Sequence, residues 1–426
     1  MNNTIPYKIN QRSYFNMSTS KTPNAKLTLL ALAISSFGIG STEFISVGLL
    51  PLITNEFGIT LSTAGLTVSI YALGVTIGAP ILTVLTSRLE RKKVLLLVMV
   101  LFIVGNLWVA IAPTFTLLLI GRIISAFAHG VFMSIAAVIA ADVVAPNKRA
   151  SAIAFMFSGL TLATVSGVPL GTFIGQVMDW RLSFIFIVII GIIGLISNAF
   201  LVPNNLTKSK PISLGDIGKV LSNFRMLLIL FITAMGYGGV FVVYTYVSPI
   251  LENQMGYSPH AIVVILVVYG ICVAIGNTIG GHFANTNPLR AIFIFFIGLA
   301  LTLLGVYFSF DSKIIGLIMV LAMGLFMFMN VPGLQLYAVQ LSEKYVPAAT
   351  AMASALNISA FNIGIFLGSY VGGLIVHYQS LDNTPLYGFF MVIIAASITL
   401  VWMVVENKQN VCTANEFSPL SKKHSL

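Results

Sequence analysis

Two charged side chains lie where the surrounding sequence is otherwise apolar. Glu43 stands in FGIGSTEFISVGLL and Arg122 in LLIGRIISAF. A charged Arg, Lys or Asp at the centre of a bilayer costs about 2.5–3.5 kcal/mol on insertion scales, so such a residue needs a partner or a task. A carboxyl group can take up and release a proton, and a guanidinium can oppose its charge. The alternative is a static ion pair that only fixes helix packing.

Polar residues recur beside both charges at the spacing of a helix face. Such a stripe is predicted to face a bundle interior or a water-filled cavity rather than lipid. His129 is predicted to hold a proton, with a hydrogen-bonded interior histidine as the alternative. The polar residues near Glu43 are Ser36, Gly40 and Ser46, and those near Arg122 are Ser125 and His129.

Two later segments carry side chains that suit an organic ligand. Aromatic and thioether surfaces fit apolar or planar compounds and can repack around several of them. Ordinary packing or lipid contact is the alternative. The residues are Tyr237, Phe241 and Tyr244 in one segment and Met323, Met327 and Asn330 in the other.

The composition indicates that the chain is embedded in a lipid membrane and is not dissolved in water. Of its 426 residues 58% are hydrophobic and 8% are charged, whereas a soluble domain has about 25% charged residues. This excludes a soluble enzyme, a disulfide scaffold and a disordered chain. The net charge of +10 is explained by loops and tails, so no nucleic-acid partner is predicted. Cys272 and Cys412 have no metal-ligand spacing, and neither a metal nor a cofactor is expected.

The apolar runs predict an all-α membrane protein with twelve spans, since one span needs about 20 apolar residues. A cytoplasmic tail (1–26), an N-terminal half (27–202), a cytoplasmic linker (203–225), a C-terminal half (226–405) and a second tail (406–426) follow. The first residues lack the apolar core of a signal peptide. The spans are 27–52, 62–85, 94–112, 115–141, 152–178, 182–202, 226–251, 259–281, 289–309, 314–341, 348–377 and 385–405.

The basic residues predict the orientation. Nineteen of the 22 Lys and Arg residues fall in the tails and in the connections that share their side, two fall on the other side, and the last is Arg122. Positive charge collects in the cytoplasm. Both termini are therefore predicted to be cytoplasmic, in a multi-pass protein of the inner (plasma) membrane.

The two halves are predicted to be repeats. A shift of 198 residues carries Pro51 onto Pro249, the block 55–58 onto 253–256, and Tyr71 onto Tyr269. Several ordered matches at one shift favour duplication over coincidence among apolar helices. Two parallel six-helix repeats with a site at their interface are the plan of a transporter.

Small residues recur at intervals of four, or multiples of four, in spans 5 and 11. They let helices approach closely, and a proline in a helix bends its axis. These residues are predicted to form surfaces on which the two halves rock. They are Gly159, Gly167, Pro169, Gly171 and Gly175 in span 5 and Gly364, Gly368 and Gly372 in span 11.

These segments resemble the major facilitator superfamily, in its twelve-span drug:proton antiporter branch, and within it the bacterial arabinose- or sugar-efflux-like permeases. The resemblance covers about residues 27–405. GRIISAFAHG is similar to the family's intramembrane arginine motif, and SGLTLATVSGVPLGTFIG to its antiporter motif. The resemblance implies a two-domain bundle in which helices 1, 4, 7 and 10 line the cavity, with Glu43 in the place of a proton-binding carboxylate.

One loop departs from the family's pattern. The connection after span 2 usually has an Asp-Arg pair followed by Gly and basic residues. Here Ser87 and Glu90 replace the Asp and the Gly, around Arg88, Arg91 and Lys92. The carboxylate to which the family's inter-domain charge latch is attributed is therefore missing.

The resulting hypothesis is export of a small organic molecule by proton antiport with alternating access, in a monomer that needs only substrate, protons and a lipid bilayer. Uptake by proton symport and facilitated diffusion are alternatives. A membrane sensor that does not transport is a remote one, and no enzyme activity is predicted.

Overall fold

The computed structural model describes residues 25–86, 89–145, 149–204, 206 and 214–416. These residues form helices and no strand. Twelve helices within them are long and apolar enough to cross a membrane. The predicted all-α bundle of twelve spans is therefore confirmed. Most of the N-terminal tail, Arg88 and residues 417–426 lie outside the described residues.

The spanning helices are labelled α1–α12, and two of them are composite. A linker helix, Leu214–Leu221, joins the halves. The bounds are Ala25–Phe57 (α1), Leu61–Thr86 (α2), Arg91–Ile111 (α3), Phe115–Asp142 (α4), Arg149–Leu162 with Ala163–Gly167 and Val168–Val177 (α5), Trp180–Leu201 (α6), Phe224–Tyr244 with Val247–Pro249 and Ile250–Gln254 (α7), Pro259–Ala284 (α8), Pro288–Tyr307 (α9), Lys313–Tyr345 (α10), Thr350–Tyr378 (α11) and Thr384–Glu416 (α12).

We call the end of the bundle at which α1 begins the tail end, and the opposite end, which carries the connection 58–60, the loop end. Several helices run past their predicted limits; α1 continues to Phe57 although its prediction ends at 52. Gly58 then turns the chain with φ of 58°, a conformation that favours glycine. Polar residues at these ends extend the helices beyond the apolar runs from which spans are predicted.

Each composite helix contains a π-helical turn next to a proline. In α5 the turn Ala163–Gly167 immediately precedes the segment that contains Pro169, and in α7 the turn Ile250–Gln254 immediately follows Pro249. Proline has no amide hydrogen to close the α-helical ring, and single π-turns are a common way to absorb such a fault. The proline predicted to bend α5 thus lies beside a local widening of this helix.

The glycine face of α5 packs inside the N-terminal half. A Cβ atom at Gly167 would lie 2.0 Å from Ser41 Oγ, and one at Gly171 would lie 2.1 Å from Ile45 Cδ1. Gly159 and Gly175 face α1 in the same way. Such distances leave no room for a side chain, so the four glycines bring α5 directly onto α1.

The glycine face of α11 does the same in the C-terminal half. Cβ atoms at Gly364, Gly368 and Gly372 would lie 2.0–2.7 Å from backbone oxygens of α7. Gly364 and Gly368 therefore do not form the predicted surface between the halves, whereas Gly372 also contacts Tyr246 at the seam with α2. Spacing in the sequence indicates a close approach, but it does not identify the helix that is approached.

The halves meet along two other seams, α2 against α11 and α5 against α8. At the second seam a Cβ atom at Gly270 would lie 2.5 Å from Thr164 O. At the first, the buried side chain of Tyr246 enters a slot made by Gly65 of α2 and by Gly372 and Gly373 of α11. Its hydroxyl donates to Ser369 O at 3.3 Å.

We expect Gly65→Ala to prevent closure at the loop end. The added methyl would lie 2.0 Å from the Tyr246 hydroxyl, and such overpacking costs about 1–3 kcal/mol. Ser248, 1% exposed in a segment that contacts α1, reports this closure. In solubilised protein without other cysteines, maleimide labelling of Ser248→Cys should become at least about fivefold faster.

Gly281→Ala is the matched control for this experiment. Its nearest neighbour would be Pro332 Cβ at 3.9 Å, which is ordinary contact. Labelling in this variant should match that of the parent. Equal rates in the Gly65→Ala variant would contradict the slot as a determinant of closure.

Candidate functional site

Arg122 is fully buried in α4, and its guanidinium is bound by backbone carbonyls. Nη1 donates to Thr42 O at 2.6 Å, Nη2 to Glu43 O at 3.3 Å and Nε to Thr67 O at 3.1 Å. A carbonyl oxygen has two lone pairs, so it can accept this bond in addition to its helical one. One side chain of α4 thus ties α1 and α2 together.

The ring of Tyr71 forms the remaining side of this site. Arg122 Cζ lies 4.1 Å from the ring centroid, a cation–π contact that is strongest where water is excluded. The Tyr71 hydroxyl lies 3.2 Å from His129 Nδ1. Tyr71 of α2 therefore contacts both Arg122 and the histidine two turns further along α4.

The Glu43 carboxylate is unpaired in the part of the chain that the structure describes. It is 7% exposed and makes neither a hydrogen bond nor an ion pair with any described residue. The two helices are neighbours, as expected, but Arg122 meets the backbone of Glu43 and not its side chain. The carbonyls already bind the guanidinium, so the carboxylate keeps its oxygens for another partner.

An aromatic wall lies opposite Glu43, on α7. The carboxylate interacts electrostatically with the phenols of Tyr237 and Tyr244. Phe241, between them, stacks on Phe44 with centroids 6.1 Å apart. Phe44 belongs to α1, so this pair crosses from one half to the other. No described residue forms a hydrogen bond with either tyrosine hydroxyl.

Tyr269 of α8 extends this wall. Its ring stacks on Tyr244 with centroids 5.1 Å apart and planes 12° apart. Its hydroxyl donates to Met327 Sδ at 3.7 Å. The shift of 198 residues that relates the halves carries Tyr71 onto Tyr269 and His129 onto Met327. Both halves therefore contain the same tyrosine contact, polar in one half and apolar in the other.

Comparison with known proteins identifies the family. The family model described as Major Facilitator Superfamily matches residues 32–350. The chain belongs to this superfamily. It is 54% identical to the uncharacterized MFS-type transporter YtbD of Bacillus subtilis over 87% of this chain and 94% of that protein. It is 35% identical to the inner membrane transport protein YdhP of Escherichia coli over 91% and 98%.

Solved structures share the fold. A D-xylose–proton symporter superposes with a TM-score of 0.72 at 16% identity, covering 88% of this chain and 97% of that one. At such low identity the likeness concerns the architecture alone. The family match, the similar transporters and the twelve apolar helices together show that the chain is a Major Facilitator Superfamily membrane transporter, a multi-pass inner membrane protein.

Three of the residues predicted to line the transporter's cavity pack inside its N-terminal half. Ser36 Oγ donates to Met156 Sδ of α5 at 3.0 Å. A Cβ atom at Gly40 would lie 2.8 Å from Leu160 Cδ1 of the same helix. Ser125 donates to Gly121 O and Arg122 O and is packed against Gly105 of α3. The polar stripe of α1 therefore faces two neighbours: Ser36 and Gly40 meet α5, whereas Glu43 lies opposite α7.

Ser46, Met323, Met327 and Asn330, which are also predicted to line the cavity, are buried. Ser46 Oγ has no hydrogen-bond partner among the described residues, and neither has Asn330 Oδ1, although Asn330 Nδ2 donates to Phe326 O at 3.0 Å. Met323 is fully buried, and Met327 contacts Tyr269. Their role in the cavity stays a prediction.

The loop motif makes local contacts in the described residues. Arg91, at the start of α3, forms an ion pair with Asp142 at the end of α4, and Lys93 forms one with Glu90 at 3.2 Å. Lys92 is partly buried. All these contacts lie within the N-terminal half. Among the described residues no three His, Cys, Asp or Glu side chains cluster in a way that could hold a metal ion.

Sequence reasoning missed Tyr71 and Phe44 as site residues. Tyr71 was visible only as a match between the repeats, and an aromatic residue in an apolar helix is ordinarily packing. Its polar role becomes visible only when α2 and α4 are side by side. Phe44 follows Glu43 directly, but nothing in the sequence places it against α7.

We expect Arg122→Lys to destabilise the protein by about 2 kcal/mol or more, because a lysine cannot bind three carbonyls and a ring at once. Thermal unfolding of the solubilised protein measures this. Arg181→Lys is the control, since Arg181 lies at the loop end in a partly exposed ion pair with Glu56. Equal effects of the two substitutions would contradict a structural role for the guanidinium site.

Proposed function

We propose that the transporter exports a small organic molecule in exchange for protons, by alternating access. The observation that carries this proposal is the unpaired Glu43 carboxylate, which faces an aromatic wall contributed by the other half. A site shared by two repeats can open to either side when the repeats rock.

Glu43 is proposed to bind the proton. We call the proposed binding space between Glu43 and the aromatic wall the chamber. A neutral carboxyl is much less costly to bury than a carboxylate, so binding of the proton favours the state in which the chamber is closed. When the chamber opens to the cytoplasm, the proton leaves, and the carboxylate is free to hold a polar or cationic group of the substrate. Proton and substrate then compete for one side chain, which couples their fluxes in opposite directions.

Arg122 is proposed to keep its charge throughout this cycle. Its partners are three carbonyls and a ring, none of which gains or loses a proton in the cycle. A fixed positive charge next to Glu43 favours release of the proton once water can reach the carboxyl. His129, linked to Arg122 through Tyr71, is proposed as a second proton-holding group.

The tail end and both termini are proposed to lie in the cytoplasm, an orientation supported by the distribution of Lys and Arg. All residues from Gly38 to Leu50 and from Gly236 to Leu251 are buried, so α1 and α7 close the loop end over Glu43. We therefore propose that the structure corresponds to a state closed to the outside, in which Glu43 exchanges protons with the cytoplasm.

The driving force is adequate for concentrative export. One charge moved across 100 mV supplies about 2.3 kcal/mol, and one pH unit supplies about 1.4 kcal/mol. The substrate is proposed to be a planar or aromatic compound. Separation of the halves would uncover the stacked faces of Phe44 and Phe241, and the hydroxyls of Tyr237 and Tyr244, which bond to no described residue, can form hydrogen bonds with it. All residues of the proposed site belong to one chain, so a monomer is proposed to suffice.

Uptake is the second candidate. Proton symport and facilitated diffusion use the same fold, which this chain shares with a D-xylose–proton symporter. The segment of α5 around Pro169 that resembles the antiporter motif favours export.

Flux into inverted membrane vesicles tests the proposal. The probes are ethidium, chloramphenicol and D-xylose, which represent an aromatic cation, a neutral aromatic compound and a sugar. With the interior acidified, we expect at least one of them to accumulate, and accumulation should collapse when the gradient is abolished. Glu43→Gln should reduce gradient-driven accumulation at least about tenfold, while exchange of probe without a gradient persists.

Glu56→Gln is the matched control. Glu56 lies at the loop end of the same helix in an ion pair with Arg181, and its substitution should leave accumulation unchanged. Expulsion of a probe from acidified vesicles would indicate symport. Failure of all three probes to respond to the gradient would overturn proton-coupled export of this class of compound.

A further inference from the structure

Tyr71 contacts Arg122 through its ring and His129 through its hydroxyl. We propose that it is a positioning residue of the proton-coupling site, which holds Arg122 with its ring and His129 with its hydroxyl. It would thereby transmit movement of α2 to both groups. This inference rests on the proposed function, since it concerns the same proton cycle.

The contacts of α2 support this role. Thr67 O, one helical turn before Tyr71, accepts the hydrogen bond from Arg122 Nε at 3.1 Å, and the Tyr71 ring lies 4.1 Å from Cζ. Two of the four partners of the guanidinium therefore lie on α2. The same helix forms the seam with α11, so rocking of the halves acts on the helix that holds Arg122.

The hydroxyl suits a partner that changes its protonation state. It can donate to Nδ1 of a neutral imidazole, or accept from Nδ1–H of a protonated one. The contact at 3.2 Å can thus persist through a proton cycle. His129 is 5% exposed, and its Nε2 makes no hydrogen bond with the described residues, which leaves this nitrogen for proton exchange.

Three titratable groups of the described residues surround Tyr71. Glu43 of α1 and Arg122 of α4 act on it electrostatically, and His129 of α4 is its hydrogen-bond partner. Arg122 is also the charged group that acts on His129. From α11, packed on the other side of α2, no described titratable group acts on Tyr71.

The C-terminal half contains an internal control. Tyr269 has the equivalent position and donates to Met327, whose thioether does not titrate, while its ring is covered by Tyr244 in place of a guanidinium. Tyr269→Phe removes the same hydroxyl from the same kind of helix contact. The labelling assay contains no transported compound, so it does not probe the part of Tyr269 in the aromatic wall; the pH midpoint of labelling should equal that of the parent if the role of Tyr71 depends on Arg122 and His129.

The experiment follows maleimide labelling of Ser248→Cys between pH 5 and pH 9 in full-length solubilised protein without other cysteines. No transported compound is needed. Because maleimide reacts with the thiolate, each rate is divided by the rate of the same cysteine in denatured protein at that pH. We expect this normalised rate in the parent to depend on pH and this dependence to disappear with Glu43→Gln. Tyr71→Phe, which keeps the ring under Arg122, should move the midpoint by about half to one pH unit, the effect of one hydrogen bond.

The outcomes separate the two hypotheses. If labelling of the parent does not depend on pH, or if Glu43→Gln leaves the dependence intact, the proposed function fails. If the dependence requires Glu43 but Tyr71→Phe has the midpoint of the parent, or Tyr269→Phe shifts it equally, the role of Tyr71 is overturned. Tyr71→Leu, which removes ring and hydroxyl, should shift the midpoint further; gel filtration and circular dichroism establish that each variant is folded.

Discussion

The N-terminal half depends on the burial of a single guanidinium. A cation inside a membrane bundle must be surrounded by groups that replace water, and Arg122 is surrounded by three carbonyls and a ring from α1 and α2. This requirement brings Thr42, Glu43, Thr67 and Tyr71 to one place. It also leaves the Glu43 carboxylate without a salt bridge to any described residue, in contrast to a buried pair whose charges neutralise each other. The architecture of the site follows from this separation.

Duplication followed by divergence has placed different residues at matching positions of the two halves. The repeat places Glu43, Tyr71 and His129 in one half where Phe241, Tyr269 and Met327 stand in the other. The backbone plan is shared, but one copy holds groups that carry charge or protons and the other holds rings and a thioether. Glu43 on one side and the aromatic residues on the other are the features on which the proposed binding of an organic molecule rests.

Close glycine contacts divide the molecule into units that can move. Gly167 and Gly171 fix α5 on α1, and Gly364 and Gly368 fix α11 on α7, so each half is tightly packed internally. Between the halves Tyr246 lies in its glycine slot and Phe44 stacks on Phe241, and at the seam of α5 and α8 Gly270 lies against the backbone of Thr164. The contacts of Tyr246 and Phe44 can separate without breaking the helix packing inside either half.

The sequence by itself determined the solvent, the number of spans and the duplication, because apolar length, charge content and repeat matches are properties of the chain in one dimension. It also identified Glu43 and Arg122, since a charge in an apolar run is conspicuous without any structure. Only the tertiary structure decided which helix each face meets. It turned Gly167 and Gly368 inward to their own halves, placed Ser125 against α3, and brought Tyr71 to Arg122. Contacts between residues far apart in the chain depend on how helices are rotated and paired, and neither is encoded in the spacing along one helix.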